Sequence, residues 1–287
     1  MSSSATGGTF ISALHNARIT NQSSLCIGLD PEPANMPAHL SNSAGLLTFC
    51  LAIIESTADL ACAFKPNLAF FERWGADGWR VLEQVVAAVP SNIPVIADAK
   101  RGDIGNTSRA YADALYGGLG AAAVTASPYL GRDAIAPLLE YPAAFAFLLC
   151  RTSNPGAAEI QDLLVDGEPL FARVIRLFKP DLEAARAGLV IGAKASVAFN
   201  WAARLAPQAT ILVPGIGAQG GTIEELAAVV SPSQARSVVV SVSRSIIHAS
   251  SGQDYAVAAR RKAAALREQL QEALNAAMER NGDASTG

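Results

Sequence analysis

The chain has 287 residues with a formal net charge of −3. No overall field for attracting nucleic acid or an anionic membrane follows from that balance, so an anionic ligand must be caught locally. Apolar residues make up 51% of the chain and aromatic residues only 6%. The core is therefore built from Ala, Val, Leu and Ile, which suits packed α/β layers, and the length fits one large barrel as well as two small domains.

The N-terminal stretch MSSSATGGTF lacks the basic and long apolar regions of a secretory signal. Residues 1–8 and 281–287 are small and polar and read as tails. Apolar runs such as 144–150 are too short to cross a bilayer, so the expectation is a cytoplasmic protein with no membrane partner. Cys26, Cys50, Cys62 and Cys150 stand in apolar stretches without close pairing, the pattern of buried thiols rather than of a zinc site or disulfide framework. His15, His39 and His248 are scattered and read as surface or structural residues.

Short β-type runs recur at 25–29, 63–65, 95–99, 122–125, 145–149, 189–191, 211–213 and 238–242. Most are continuously apolar, as parallel strands covered on both faces must be. Helix-compatible segments fall at 46–61, 78–88, 108–116, 133–139, 168–178, 197–205, 223–230 and 254–280. Pro169 lies near the start of the fifth of these and Pro180 just past its end, where proline is tolerated or stops a helix. In the last, Leu266, Leu270, Leu274 and Met278 form a stripe expected to pack on the outside of the fold. Eight strands alternating with eight helices predict a single-domain (β/α)8 TIM barrel spanning 1–287, with the long stretch 154–188 as an elaborated loop.

In such a barrel function gathers at the C-terminal strand ends. Those ends carry Asp30 after the first strand, Lys65 on the second, Asp98 and Lys100 on the third, and Thr152 and Ser153 after the fifth. Pro214 and Gly215 follow the seventh, and Arg244 the eighth. On extended backbone Asp98 and Lys100 share a face, whereas Asp103 lies past Gly102 and need not face the same pocket. An isolated Asp-x-Lys is as readily a structural ion pair as a catalytic one; Lys65 and Asp30 at neighbouring strand ends turn it into a charge array. The glycine-rich stretch 213–221 is by itself a turn, but with Arg244 at the next strand end it forms a candidate phosphate site.

The run Asp98-Ala99-Lys100-Arg101-Gly102-Asp103-Ile104 with Thr107 resembles the D-x-K-x-x-D-I-x-x-T signature of the orotidine 5'-phosphate decarboxylases. The stretches LCIGLDPEP, FKPNLAFFE, VTASPYLG, RTSNPGA, GLVIGA, VPGIGAQGG and SRSII, in order between residues 25 and 247, resemble the longer bacterial form. The resemblance implies decarboxylation of orotidine 5'-phosphate in pyrimidine biosynthesis with no cofactor and no metal. It implies that Lys100 protonates C6, Asp98 stands against the substrate carboxylate, and Lys65 binds Asp98 and a ribose hydroxyl. Asp30 would hold the ribose, Ser153 the pyrimidine edge, and Gln219 with Arg244 the phosphate, with Pro214 in the same substrate-binding loop. Asp103 and Thr107 would reach the partner's site in a homodimer with shared active sites. The chain departs from the short form in Ser243 before the arginine, where glycine stands, and in the long fifth loop. A metal-dependent sugar-phosphate decarboxylase of the same superfamily also carries Asp-x-Lys-x-x-Asp; Ile104 and Thr107 favour the pyrimidine reading. A non-catalytic phosphate-binding barrel would have no need of the Lys65–Asp98–Lys100 array.

Overall fold

The computed structural model describes residues 9–217 and 220–280. Eight parallel strands form its centre: β1 (Leu25–Leu29), β2 (Ala63–Pro66), β3 (Ile96–Arg101), β4 (Ala123–Ala126), β5 (Ala146–Arg151), β6 (Ala187–Ile191), β7 (Thr210–Pro214) and β8 (Val238–Val242). Each pairs with its neighbour in chain order, and β8 returns to β1. Between β2 and β3 the ring is closed by the parallel bridges Phe64–Val95 and Asn67–Asp98. The strand order and closure are those of the predicted (β/α)8 barrel.

The continuous apolarity of the strands has a direct cause, because both of their faces are buried. Cys26, Ala63, Ile96, Ala123, Phe147, Val190, Leu212 and Val239 fill the barrel interior. The alternate residues, among them Leu25, Ile27, Val124, Leu148, Leu189, Ile211 and Val240, pack outward in a second core beneath the helices. Since successive side chains leave opposite faces of a strand, one run of apolar residues serves both layers.

The helix Phe10–Asn21, which the sequence reading leaves out, closes the end of the barrel where the strands begin. Thr9 caps it by accepting the Ser12 N–H at 3.4 Å. Phe10 then packs tilted against Phe145 and edge-on to Phe147, with ring centroids 4.6 and 5.5 Å away. Four short helices were also unforeseen: Ala69–Glu72, Lys179–Glu183, Pro232–Ser237 and the single turn Arg244–Ile247.

After β5 the chain makes a 3-10 turn at Pro155–Glu159, then an antiparallel ribbon pairing Leu164–Val165 with Glu168–Pro169, then the helix Leu170–Leu177. Pro169 is the cap of that helix, but Pro180 opens the short helix Lys179–Glu183 instead of ending the previous one. The final helix, Tyr255–Glu279, buries Leu266, Leu270 and Leu274 against the outer helices as its stripe predicts.

Against the expectation of apolar runs too short to cross a bilayer, residues 43–60 are long and apolar enough by length and composition. They form the helix Ser43–Thr57, which buries Leu46, Phe49, Cys50, Ile53 and Ile54 in the outer core. Its apolarity is used in packing against the barrel. All four cysteines are free and buried, and burial pushes the Cys62 and Cys150 thiols up to about 12.

Phe10→Ala should lower unfolding stability by about 3–4 kcal/mol, because it empties an aromatic cluster that nothing nearby can refill. Urea denaturation followed by circular dichroism measures this; a loss below about 1 kcal/mol would show that the helix does not plug the barrel.

Candidate active site

At the end of the barrel opposite Phe10 lies a cavity of about 470 Å³, within the usual range for a small-molecule site. Its floor is formed by Lys65 from β2, Asp98 from β3, Thr125 from β4 and Ser241 from β8, the next interior positions up those strands, together with Val190 and Leu212 from the top of the apolar interior. The alternation that places Ala63 and Ile96 in the apolar interior delivers Lys65 and Asp98 to the cavity two residues later.

Asp98 is the hub. Lys65 Nζ donates to its Oδ2 at 2.6 Å, Lys100 Nζ donates to its Oδ1 at 2.6 Å, and the Thr125 hydroxyl donates to Oδ1 at 2.9 Å. The lysines differ in exposure: the Lys65 side chain is 8% exposed and that of Asp98 11%, whereas Lys100 is 51% exposed. Lys65 thus belongs to the floor, and Lys100 lies along the cavity wall within reach of a ligand.

The meeting of Asp98 and Lys100 does not come from plain extended strand, as the sequence spacing implies. Ala97 pairs with Val124 and Arg101 with Ala126, so β3 bulges across this stretch, and Lys100 takes a left-handed backbone with φ of 49°. Such a conformation is uncommon for a residue with a side chain and is held only where the surroundings fix it. Here the Lys100 N–H donates to the Thr125 hydroxyl at 3.0 Å, the same hydroxyl that supports Asp98. Thr125 was absent from the sequence-based set, although a polar residue at the end of the fourth strand was its signal.

Burial alone would push the Asp98 carboxyl up. The Lys65 and Lys100 ammoniums overcome that and hold it well below the usual carboxylate range. For Lys65 burial again disfavours charge, and the carboxylates of Asp98 and Asp30 more than offset it, raising its pKa above that of free lysine. Asp98 and Lys65 are therefore both charged at neutral pH.

Asp30, Ser153, Pro214 and Arg244 also line the cavity. Ser153 stands beyond the end of β5, which closes at Arg151, and is joined there by Thr152, Asn154 and Gln161. Two glycines let the wall form: a Cβ on Gly28 would lie 2.7 Å from Ser243 Cβ, and one on Gly192 2.9 Å from Ser153 Cα. Gln219 lies outside the described residues. Gly217 N–H donates to Gly221 O at 2.9 Å and Gly221 N–H to Gly215 O at 3.0 Å, and Gly215 lines the cavity with Arg244.

Asp103 and Thr107 do not line this cavity. Asp103 accepts the Ile104 N–H at 2.7 Å, and Thr107 lies in the first turn of the helix Gly105–Ala112. The motif therefore divides after Lys100. Among the described residues no cluster of three or more His, Cys, Asp and Glu side chains is placed to hold a metal ion, and both Asp98 oxygens are taken by ammonium groups.

Residues 23–260 match the model of the orotidine 5'-phosphate decarboxylase / HUMPS family. The chain belongs to this family. It is 46% identical over 259 residues to orotidine 5'-phosphate decarboxylase of Herpetosiphon aurantiacus, a match covering 89% of this chain and 96% of that one. A crystal structure of a putative orotidine-monophosphate-decarboxylase from Toxoplasma gondii superposes with a TM-score of 0.86 at 31% identity, over 93% of this chain and 98% of the other. Leishmania donovani UMP synthase aligns with a TM-score of 0.83 at 37% identity; the match covers 93% of this chain, which spans only 57% of that longer protein. The family match thus takes in the whole charge array, from Asp30 to Arg244.

Asp98→Asn should cost about 3 kcal/mol at pH 7, since it leaves Lys65 buried with only Asp30 as a negative partner. A depressed carboxyl contributes stability that is complete above its unfolded pKa of about 3.9 and is lost as pH falls toward the folded value. The acid limb of the stability profile should accordingly be shallower in the variant. Equal stability at pH 7 together with an unchanged acid limb would contradict the buried pair.

Proposed function

We propose that this chain decarboxylates orotidine 5'-phosphate to uridine 5'-phosphate, a step of de novo pyrimidine biosynthesis, as a cytoplasmic homodimer. The observation that carries the reading is the carboxylate of Asp98 gripped through both oxygens by Lys65 and Lys100 on the floor of the cavity. Family membership and the likeness to named decarboxylases support it.

Breaking the bond from C6 to the carboxylate leaves an electron pair on a carbon that the ring cannot delocalise well. The site must therefore stabilise localised negative charge and supply a proton. Lys100, half exposed along the cavity wall, does both: its ammonium faces the developing carbanion and transfers a proton to C6 as carbon dioxide departs. The neutral amine recovers a proton from solvent after product leaves. Asp98 holds the Lys100 ammonium in place and lies against the substrate carboxylate, whose charge disappears in the reaction. Lys65 keeps Asp98 ionised so that the repulsion persists, and it donates to a ribose hydroxyl.

Asp30 holds the ribose, Ser153 meets the pyrimidine edge, and Pro214, Gln219 and Arg244 belong to the phosphate end. Binding energy gained at the phosphate is expressed at C6, because closing the loop over it excludes water and fixes the ring. No metal or cofactor enters these steps.

Asp103 and Thr107 serve the neighbouring subunit's site in this scheme. Their position outside the cavity of their own chain supports it, as do two large apolar side chains beside them: Ile104 is 62% exposed and Tyr129 78%. These stand on the adjoining loops after β3 and β4, which are joined where the Ser127 N–H donates to Arg101 O at 2.8 Å. Covering them is what a second copy would do.

Lys100→Ala should fold and bind uridine 5'-phosphate while turnover falls by at least about 10³-fold, as expected for loss of the proton donor and of its electrostatic stabilisation. Steady-state kinetics and calorimetry check it; retained turnover ends the assignment. Mixing inactive Lys100→Ala with inactive Asp103→Ala chains should restore activity in hybrids, each of which rebuilds one intact site. A mixture that stays inactive despite proven subunit exchange contradicts shared sites.

A further inference from the structure

His248 lies behind the cavity, at the point where the chain leaves the turn Arg244–Ile247. Its N–H donates to the Arg244 carbonyl at 3.1 Å, so ring and guanidinium belong to one turn of backbone. Across the barrel rim its Nε2 is 3.2 Å from the Asp30 carbonyl oxygen and 3.4 Å from the Glu32 nitrogen. The ring stacks on Phe49, with centroids 5.7 Å apart and planes 19° from parallel.

The buried Nδ1 finds no partner among the described residues. Nε2 therefore ties His248 to the backbone of residues 30–32 in either neutral tautomer, accepting from the Glu32 N–H or donating to the Asp30 carbonyl. Burial pushes the ring's pKa below that of free histidine, so the group is neutral at pH 7 and serves as a hydrogen-bonding tie rather than as a charge. Neither decarboxylation nor phosphate binding as described above uses it.

We propose that His248 is a positioning residue that ties the segment carrying Asp30 to the turn carrying Arg244, fixing the separation between the ribose-holding and phosphate-holding side chains. The inference rests on the decarboxylase reading. Asp30 and Arg244 come from strands that are neighbours in the barrel, β1 and β8, but each stands just past its strand end, where the ladder no longer constrains it. The hydrogen bond made by His248 replaces the missing ladder contact. Stacking on Phe49 anchors the ring to the helix Ser43–Thr57, and hence to the outer core.

His248→Phe keeps an aromatic ring on Phe49 and removes the hydrogen-bonding nitrogen, whereas His248→Gln returns a side-chain amide, able to accept or donate, at similar reach. With the full-length protein and orotidine 5'-phosphate, the Phe variant should melt within a few degrees of the parent and show KM raised about fivefold or more, with kcat changed less than about threefold. The Gln variant should return KM to within about twofold of the parent. A parental KM in the Phe variant overturns the proposal, and so does a raised KM that Gln fails to restore. If the Phe variant does not fold, His248→Asn decides: its shorter amide misses Asp30 and must raise KM, and a parental value overturns the proposal. Failure of the parent protein to turn over the substrate would instead strike at the decarboxylase reading, so the two outcomes are distinct.

Discussion

Asp98 accepts a hydrogen bond from Lys65 through one oxygen and from Lys100 through the other, at the bottom of a cavity that leaves Lys65 almost no water. Removing two such groups from solvent is expensive unless the geometry is tight and the remaining lone pairs are used, and the Thr125 hydroxyl supplies the additional contact. The bulge in β3 and the left-handed backbone of Lys100 follow from this arrangement, since they bring the second ammonium to a carboxylate only two residues away. In the proposed reaction Asp98 lies against the substrate carboxylate, which requires that something keep it charged. Lys65 performs that task, and its burial is the condition for performing it.

The barrel makes the array possible by separating stability from chemistry along its axis. Where the strands begin, Phe10, Phe145 and Phe147 form an aromatic plug; in the middle, Ala, Cys, Ile and Val fill a narrow interior; at the other end the same inward positions become Lys, Asp, Thr and Ser. The charged layer rests on a rigid apolar one, so its geometry is fixed before a ligand arrives. Elements outside the ring add the rest: the long segment after β5 brings Gln161 to the cavity wall, and the turn after β8 brings Arg244.

Much of this was legible in the sequence because the physics is periodic or local. Continuous apolar runs between helical segments lead to parallel strands and so to a barrel, and the polar residues at their ends pick out Asp30, Lys65, Asp98, Lys100 and Arg244. The failures were of two kinds. The helix Phe10–Asn21 is short, and its buried positions Phe10, Leu14 and Ala17 follow helical spacing without a strong polar face opposite. Thr125 and Ser241 carried only the weak signal of a lone polar residue near a strand end, and Asn67, just past β2, gave none until the register was known. The spacing of Asp98 and Lys100 led to the right contact for the wrong reason: a bulge that depends on the Thr125 hydroxyl, 25 residues away, has no local sequence signal.

If the paired ammonium groups around Asp98 carry the proposed decarboxylation, the reaction needs no metal ion. The direct measurement is the decay of orotidine 5'-phosphate absorbance on adding the purified chain after exhaustive EDTA treatment. The account predicts full turnover to uridine 5'-phosphate, unchanged when magnesium is returned. No turnover in chelator, with activity restored by magnesium, would contradict it.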